Sequence, residues 1–489
     1  RGHPVSRAHP EAAATFLRDS ERAAWHDEAL WFVRQRRDTA TALPEWEALR
    51  DAGAALKAHA MGRLAELLEA FDARATAAGV TVHWARDADE HNALVLDILR
   101  IAGATRVAKS KSMLTDECEM RPFLEQRGIE VIETDLGERI QQLDDEPPSH
   151  IVVPAVHKLR TDVAEVFART LGTDPNNSDV HYLAESQRRT TRPSFLSADA
   201  GMTGANFAIA ETGTIGLVTN EGNGRLSGSI PPVHIVLAGI EKLVPTYDDA
   251  MTQLRLLSRS ATGQRLTVYS TFMTGPTEGH EMHIILVDNG RRMMRSMPEF
   301  VEALHCIRCG ACSNVCPPYG EVSGHVFGHI YSGAIGLVVS GFHHGLESIA
   351  DAQSLCLSCN ACETVCPSGI PLPQQILDVR KMVAEANGMN PKKSAVLEVY
   401  SRPWAVDAVT RLGGRFSGPI SRKGLIRNRR LPIINRQTRW RSLPVPAAEP
   451  LRDLVPTGSF EDALPPRIPS AVAGKTVALF PGCMTDRLY

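Results

Sequence analysis

Residues 80–294 read as an α/β domain with an open, mainly parallel sheet, and residues 295–385 as a smaller α-helical segment rich in cysteine. Two observations predict this. From about 80 to 290, short apolar strands alternate with helical stretches, the pattern that a sheet with crossover helices imposes on a sequence. Beyond it, eight of the chain's ten cysteines fall between Cys306 and Cys366, in two copies of one run.

The 489 residues exceed one ordinary domain, which predicts two or three. Hydrophobic residues make up 43% and charged residues 22%, as in a globular protein, and the net charge is -3. No apolar run reaches the length of a membrane span. The opening residues, R-G-H-P, resemble neither a signal peptide nor a chain start, so residues ahead of them are expected.

Residues 1–79 read as a helical region. Leu43-Pro44-Glu45-Trp46 opens one helix with proline in its first turn, and an apolar stripe continues through Leu56, Met61, Leu64, Leu67, Leu68 and Phe71. In the α/β domain, strands are expected at 80–84, 106–108, 130–132, 151–153, 214–219, 234–238, 266–271 and 283–287. Helices are expected at 88–101 and 247–258.

The cysteine runs are C-I-R-C-G-A-C-S-N-V-C-P, supplying Cys306, Cys309, Cys312 and Cys316, and C-L-S-C-N-A-C-E-T-V-C-P, supplying Cys356, Cys359, Cys362 and Cys366. This is the C-x2-C-x2-C-x3-C-P spacing of bacterial two-cluster ferredoxins. In these, three cysteines of one loop cap one [4Fe–4S] cube and the fourth reaches the other cube. The spacing therefore predicts one cluster on Cys306, Cys309, Cys312 and Cys366, and a second on Cys356, Cys359, Cys362 and Cys316. Pro317 and Pro367 are expected to turn the chain and block a helix there. Zinc sites use separated C-x-x-C pairs, and disulfide frameworks belong to short secreted chains, so neither fits. Reduced, iron-bearing thiols point to the cytoplasm.

Residues 386–470 read as a Pro- and Arg-rich basic arm or linker. From 401 to 452 there are twelve Lys/Arg against two Asp/Glu. Such an arm either wraps its own protein or docks on a partner subunit or an anionic membrane surface. No groove-reading motif accompanies the charge, which argues against nucleic acid. At 471–489, K-T-V-A-L-F followed by P-G-C-M reads as the start of a further α/β domain.

Other sites compete with plainer readings. Lys109, Ser110 and Lys111 follow a predicted strand, where open α/β sheets bind ligands; they read as an anion site or as surface lysines. Glu211, in A-E-T-G-T-I, reads as a general base or a buried hydrogen-bonded acid. His283 follows His280 at one residue less than the zinc-protease motif requires, and reads as a core or pocket residue. Gly222-Asn223-Gly224 lacks the dinucleotide spacing and is followed by Pro231-Pro232 rather than a helix, which argues against NAD, although backbone amides there can hold an anion.

Longer blocks carry a family resemblance. K-S-K-S-M-L-T-D-E (109–117), E-T-D-L-G-E-R-I-Q-Q-L (133–143), P-S-H-I-V-V-P-A-V-H-K (148–158), T-G-A-N-F-A-I-A-E-T-G-T-I (203–215), N-E-G-N-G-R (220–225) and V-D-N-G-R (287–291) precede the double cysteine run in this order. From about 30 to 455 the chain resembles the LutB-type lactate-utilisation iron–sulfur proteins, a LUD domain plus a two-cluster ferredoxin domain. The resemblance implies a NagB/RpiA/CoA-transferase-like fold for the α/β domain. It implies a role in an L-lactate dehydrogenase complex with LutA-like cysteine-rich and LutC-like partners, or a fused equivalent, passing electrons to a quinone or another acceptor. The tail is similar to the start of a heterodisulfide-reductase-like cysteine-rich domain, in which Cys483 would ligate a further iron–sulfur cluster. The other function class left open is a ligand-binding or acyl/phosphosugar-handling enzyme whose clusters are structural or sensory.

Overall fold

The computed structural model describes residues 9–327, 330–389, 391–426 and 442–454. The chain divides into two compact units, Arg1–Ala386 and Asn387–Tyr489.

Beyond a short helix at His9–Phe16, the first unit has three N-terminal helices, Ser20–Thr41, Trp46–Gly62 and Leu64–Ala77. Asp19 caps the first of these three by accepting the N–H of Arg22. The apolar stripe expected from the sequence is the buried one, from Leu56 to Phe71. The strands that follow are β1 (Thr81–Ala85), β2 (Arg106–Lys109), β3 (Glu130–Glu133), β4 (Ala200–Gly204), β5 (Phe207–Ile209), β6 (Thr214–Thr219), β7 (Val233–Gly239), β8 (Leu243–Val244), β9 (Tyr269–Met273) and β10 (Glu281–Val287).

Six of them form a parallel sheet in the order β1-β10-β7-β4-β2-β3. Its central strand β7, V-H-I-V-L-A-G, is buried at every position, as a strand covered on both faces must be. Alternation sorts the side chains. Val236, Ala238, Met282, Ile284 and Leu286 share a core with the N-terminal helices and the cysteine-bearing segment. Val233, Ile235, Leu237, Ile285 and Val287 pack on the opposite face with Val95, Leu96 and Leu99 of helix Ala88–Ile101.

Several sequence expectations are corrected. Residues 151–153 form no strand, because Nδ1 of His150 accepts the N–H groups of Val152 and Val153 (3.0 and 3.1 Å), which removes them from any ladder. Strand β6 belongs to a second, four-stranded sheet, β8-β5-β6-β9, where it runs antiparallel to β5 and β9. Strands β4, β5 and β8 fall outside the expected set. Glycine and alanine give β4 little strand propensity, and its place is set by packing. A Cβ on Gly201 would lie 1.7 Å from the carbonyl oxygen of Ser227, so only glycine admits helix Asn223–Ser229. That helix itself stands where Pro231-Pro232 had argued for none, because the prolines follow its end and do not interrupt it. The helix from Tyr247 extends to Thr262.

The cysteine-bearing segment is built of short helices and 3-10 turns, with longer helices at Gly333–His343 and Leu372–Asn387. Pro317 starts helix Pro317–Val322 instead of preventing one, since at the first helical position its missing N–H leaves nothing unpaired. In the second unit, part of the expected arm is ordered as helix Pro403–Phe416 and a short antiparallel ladder of Ser421–Arg422, Leu425–Ile426 and Leu443–Pro444. Pro403 again sits at a helix start, and Lys423 and Gly424 make the left-handed turn that a two-residue hairpin requires. Cys483 and the expected tail domain lie outside the described residues. Among the described residues, no helix is long and apolar enough to cross a membrane.

The substitution Gly201→Ala is expected to lower stability by about 1–3 kcal/mol, because the clash is with backbone that cannot rotate away. The urea midpoint of the full chain, followed by circular dichroism, measures it.

Candidate functional site

The two cysteine loops follow the same backbone path. Arg308 and Gly310 in the first, and Ser358 and Asn360 in the second, all take left-handed conformations, with φ of 61°, 72°, 52° and 63°. Alternating handedness turns successive N–H groups inward, the geometry of an anion-binding nest. Accordingly Arg308 N–H donates to Cys306 Sγ and Ser358 N–H to Cys356 Sγ, both at 3.4 Å, and Ile370 N–H donates to Cys366 Sγ at 3.5 Å. A Cβ on Gly310 would lie 2.9 Å from the His150 ring, whereas Asn360 stands in an exposed loop that leaves room for its side chain.

The eight thiols are brought together in two sets of four. Cys306, Cys309, Cys312 and Cys366 line one small cavity, and Cys316, Cys356, Cys359 and Cys362 line another. The fourth cysteine of each loop thus crosses to the other loop's set. All eight are free thiols, and burial pushes Cys309, Cys316 and Cys362 up to about 12. Four thiolates cannot share such an apolar hole without a compensating cationic group, and an iron–sulfur cube is one of that size. The donor set and spacing therefore fit a cluster. Arginines fix the outer rim. Arg37 donates to the Val365 carbonyl (3.1 Å), Arg50 twice to the Cys366 carbonyl (3.1 and 2.9 Å), and Arg380 to the Cys356 carbonyl (2.6 Å). The first set is interior; in the second, Cys359 and its neighbour Leu357 are exposed.

A larger cavity of about 360 Å³ opens at the carboxyl ends of β2, β4 and β7, where open α/β sheets bind ligands. Its wall includes Lys111, Glu241, Lys242, Arg291, Arg308 and Tyr331. Behind that wall runs a buried ionic network. Arg291 donates to both oxygens of Glu117 (2.8 and 2.9 Å) and, through Nε, to Glu241 (2.5 Å). Tyr331 O–H and Asn289 Nδ2 also donate to Glu117, at 2.6 and 2.7 Å. Burial alone would raise Glu241, but Arg291, then Lys242 and Arg308, outweigh it and hold the carboxyl at about 2. Glu117 is likewise held well below its ordinary value against its burial, chiefly by Arg291.

The three residues singled out from the sequence are not brought together. Lys109 is fully buried and paired with Glu133 (2.8 and 3.0 Å), so it is neither a surface lysine nor part of the cavity wall; Ser110 and Lys111 beside it do line the cavity. Glu211 is exposed rather than buried and accepts the N–H of Tyr247 (3.2 Å) at a helix start. His283 lies near the amino end of β10, sharing a hydrogen bond with His83 (3.1 Å), toward the opposite edge of the sheet from the cavity. Sequence reasoning missed Glu117, Glu241, Lys242, Arg291 and Tyr331. Two carried a signal: Glu117 and Arg291 close two of the blocks quoted above, K-S-K-S-M-L-T-D-E and V-D-N-G-R.

Replacing Arg291 by Met removes the cation that two buried carboxylates share and is expected to cost about 3–5 kcal/mol. The stability that Glu241 contributes is complete above its ordinary value of 4.5 and is lost as pH falls through about 2. Acid unfolding of Arg291→Met is therefore expected at higher pH than that of the parent, as read by fluorescence across a pH series.

Comparison with known proteins accords with this layout. The LUD domain family matches residues 68–293, and the 4Fe-4S dicluster domain family matches residues 302–370. The chain is 43% identical over 350 residues to the "Uncharacterized electron transport protein YkgF" of Escherichia coli (strain K12), covering 70% of this chain and 73% of that one. It is 39% identical over 422 residues to "Lactate utilization protein B" of Shouchella clausii, covering 84% and 88%. Against the protein of the same name from Macrococcus caseolyticus it is 37% identical over 458 residues, covering 91% and 95%. With a LUD domain followed by a 4Fe-4S dicluster domain, the chain belongs to the lactate utilization protein B family.

Proposed function

We propose that this protein is an iron–sulfur electron carrier serving the oxidation of L-lactate or a related 2-hydroxy acid. The observation that carries the proposal is the division of eight thiols into two crossed sets of four. In this reading Cys306, Cys309, Cys312 and Cys366 hold one [4Fe–4S] cluster, and Cys316, Cys356, Cys359 and Cys362 hold the other. When bound, each cluster takes up and passes on one electron at a time, so two match the two electrons of a 2-hydroxy acid. The chain's own part is to hold and tune. Backbone N–H groups on the sulfurs favour the reduced, more negative state, and Ile335, Ile370 and Leu372 keep water from the first set. The order is inward to outward, from the interior set to the set bearing exposed Cys359, and on to a quinone or another acceptor.

The same reading assigns LutA-like and LutC-like partners, or a fused equivalent, and a reducing, cytoplasmic compartment. The basic stretch at 401–452 serves for contact with a partner or the membrane face, and Cys483 for a further cluster. A second reading, favoured by the cavity at the carboxyl edge of the sheet, makes the α/β domain a ligand-binding or acyl/phosphosugar-handling enzyme with structural or sensory clusters. Reversible bleaching by dithionite with re-oxidation by a quinone supports the carrier; catalysis that persists without clusters supports the second reading.

The crossed assignment has its own signature. Cys366→Ser is expected to abolish one of two reduced-cluster EPR signals, that of the interior site, and Cys316→Ser the other, each roughly halving bound iron and sulfide. Loss of the same signal in both variants would falsify the crossing.

A further inference from the structure

We propose that the cavity at the carboxyl edge of the main sheet binds a small organic carboxylate between Lys242 and Arg308, and that Arg308 conveys its presence to the interior thiol set. The second half rests on the electron-carrier reading; the first does not.

Not every cation on the cavity wall has a carboxylate in contact with it. Arg291 is taken up by Glu117 and Glu241. Lys242 feels Glu241 at a distance, but among the described residues it makes no hydrogen bond and no ion pair within 4.0 Å, although it lines the cavity. Lys111 donates to a neutral partner, the Val152 carbonyl (2.8 Å). Arg308, with a side chain 10% exposed, reaches Glu241 only at 3.6 Å, and its Nη1 is buried without a hydrogen-bond partner. Asp135 and Glu221 also line the cavity, but they serve the start of helix Leu136–Asp144, accepting the N–H groups of Glu138 and Leu136, both at 3.1 Å. A buried guanidinium N–H without an acceptor is unfavourable, and a carboxylate at that wall supplies one.

The rest of the lining states what the acid looks like. Leu114, Leu217, Leu237 and Leu257 are buried and apolar, which suits a hydrocarbon tail better than a phosphate dianion. About 360 Å³ holds a three-carbon acid with its water or a longer chain in its place.

Arg308 lies between Cys306 and Cys309, and both Arg308 and Ile151 line this cavity and the interior thiol cavity alike. The guanidinium sits 4.3 Å over the Tyr331 ring, which fixes its plane. An anion docked on one side of this shared wall neutralises positive charge beside the interior cluster. Reduction of that cluster then becomes less favourable, and the acid binds the oxidised protein more tightly. A tenfold preference corresponds to a fall of about 59 mV in a one-electron potential.

The test uses the cluster-loaded full chain, its iron and sulfide measured first. Calorimetry with L-lactate, 2-hydroxybutyrate and neutral lactamide is combined with an EPR-monitored redox titration. Both acids are expected to bind at least about tenfold more tightly than lactamide, and Lys242→Met to weaken them about tenfold or more. Saturating acid is expected to lower the potential of one cluster alone, and Arg308→Gln to remove that shift. Equal binding of lactate and lactamide, undiminished binding in Lys242→Met, or displacement by stoichiometric inorganic phosphate overturns the site. Binding with both potentials unmoved overturns the role of Arg308. A parent protein that takes up no cluster overturns the electron-carrier reading, while the acid site is still decided by calorimetry. Lys242→Met leaves the cysteine loops untouched, so it decides the site even if Arg308→Gln fails to load.

Discussion

A single guanidinium holds the functional face of the molecule together. Arg291 is buried between two carboxylates, and neither they nor it can turn to water instead. Removing three charges from solvent is expensive, and the arrangement persists because every partner is satisfied at short range. Glu241 comes from just beyond the end of β7, Glu117 from the short helix Met113–Glu117, and Tyr331 from the cysteine-bearing segment. Glu117, which binds both Arg291 and Tyr331, therefore ties the sheet's end to that segment. Even the glycine that ends β7 belongs to this arrangement: a Cβ on Gly239 would lie 2.0 Å from the Glu241 carboxylate and 2.6 Å from Arg291 Nε.

The cysteine-bearing segment is consequently part of the sheet's own core and not a bead on a tether. Phe300, Leu304, Ile335 and Ile376 share one apolar cluster with Met282, Ile284 and Leu286 of β10. The N-terminal helices close it from outside, where Arg37 and Arg50 bind the carbonyls that bracket the last cysteine. Apolar burial supplies adhesion without direction, and the arginine-to-carbonyl bonds supply the register.

How much of this is legible in the sequence follows from which forces are local. The cysteine runs announce themselves because the ligand spacing of a cube is short-range geometry. Strands β7 and β10 do so because burial on both faces leaves an apolar run. Strand β4 does not, because A-G-M-T-G is chosen for the close approach of Ser227, a contact across sequence. Residues 151–153 have the composition of a strand but lose their N–H groups to His150. Lys109 points to a ligand by position, yet Glu133 on the neighbouring strand claims it. Arg291 and Glu241 were invisible for the converse reason. Fifty residues apart, each reads alone as a surface charge, and only the fold makes them a pair.

The crossing of the fourth cysteines also bears on how the protein is made. The first set of four is incomplete until Cys366 has left the ribosome, sixty residues after Cys306, and the second until Cys362 has. The carbonyl of Cys366 is in turn gripped by Arg50, a residue synthesised long before it. Helices made first must wait for a loop made late, and the thiols of the first loop stand unmatched in the interval. Assembly of this unit therefore waits until both cysteine loops have been made, and the order of synthesis sets the order in which the two sets of four can close.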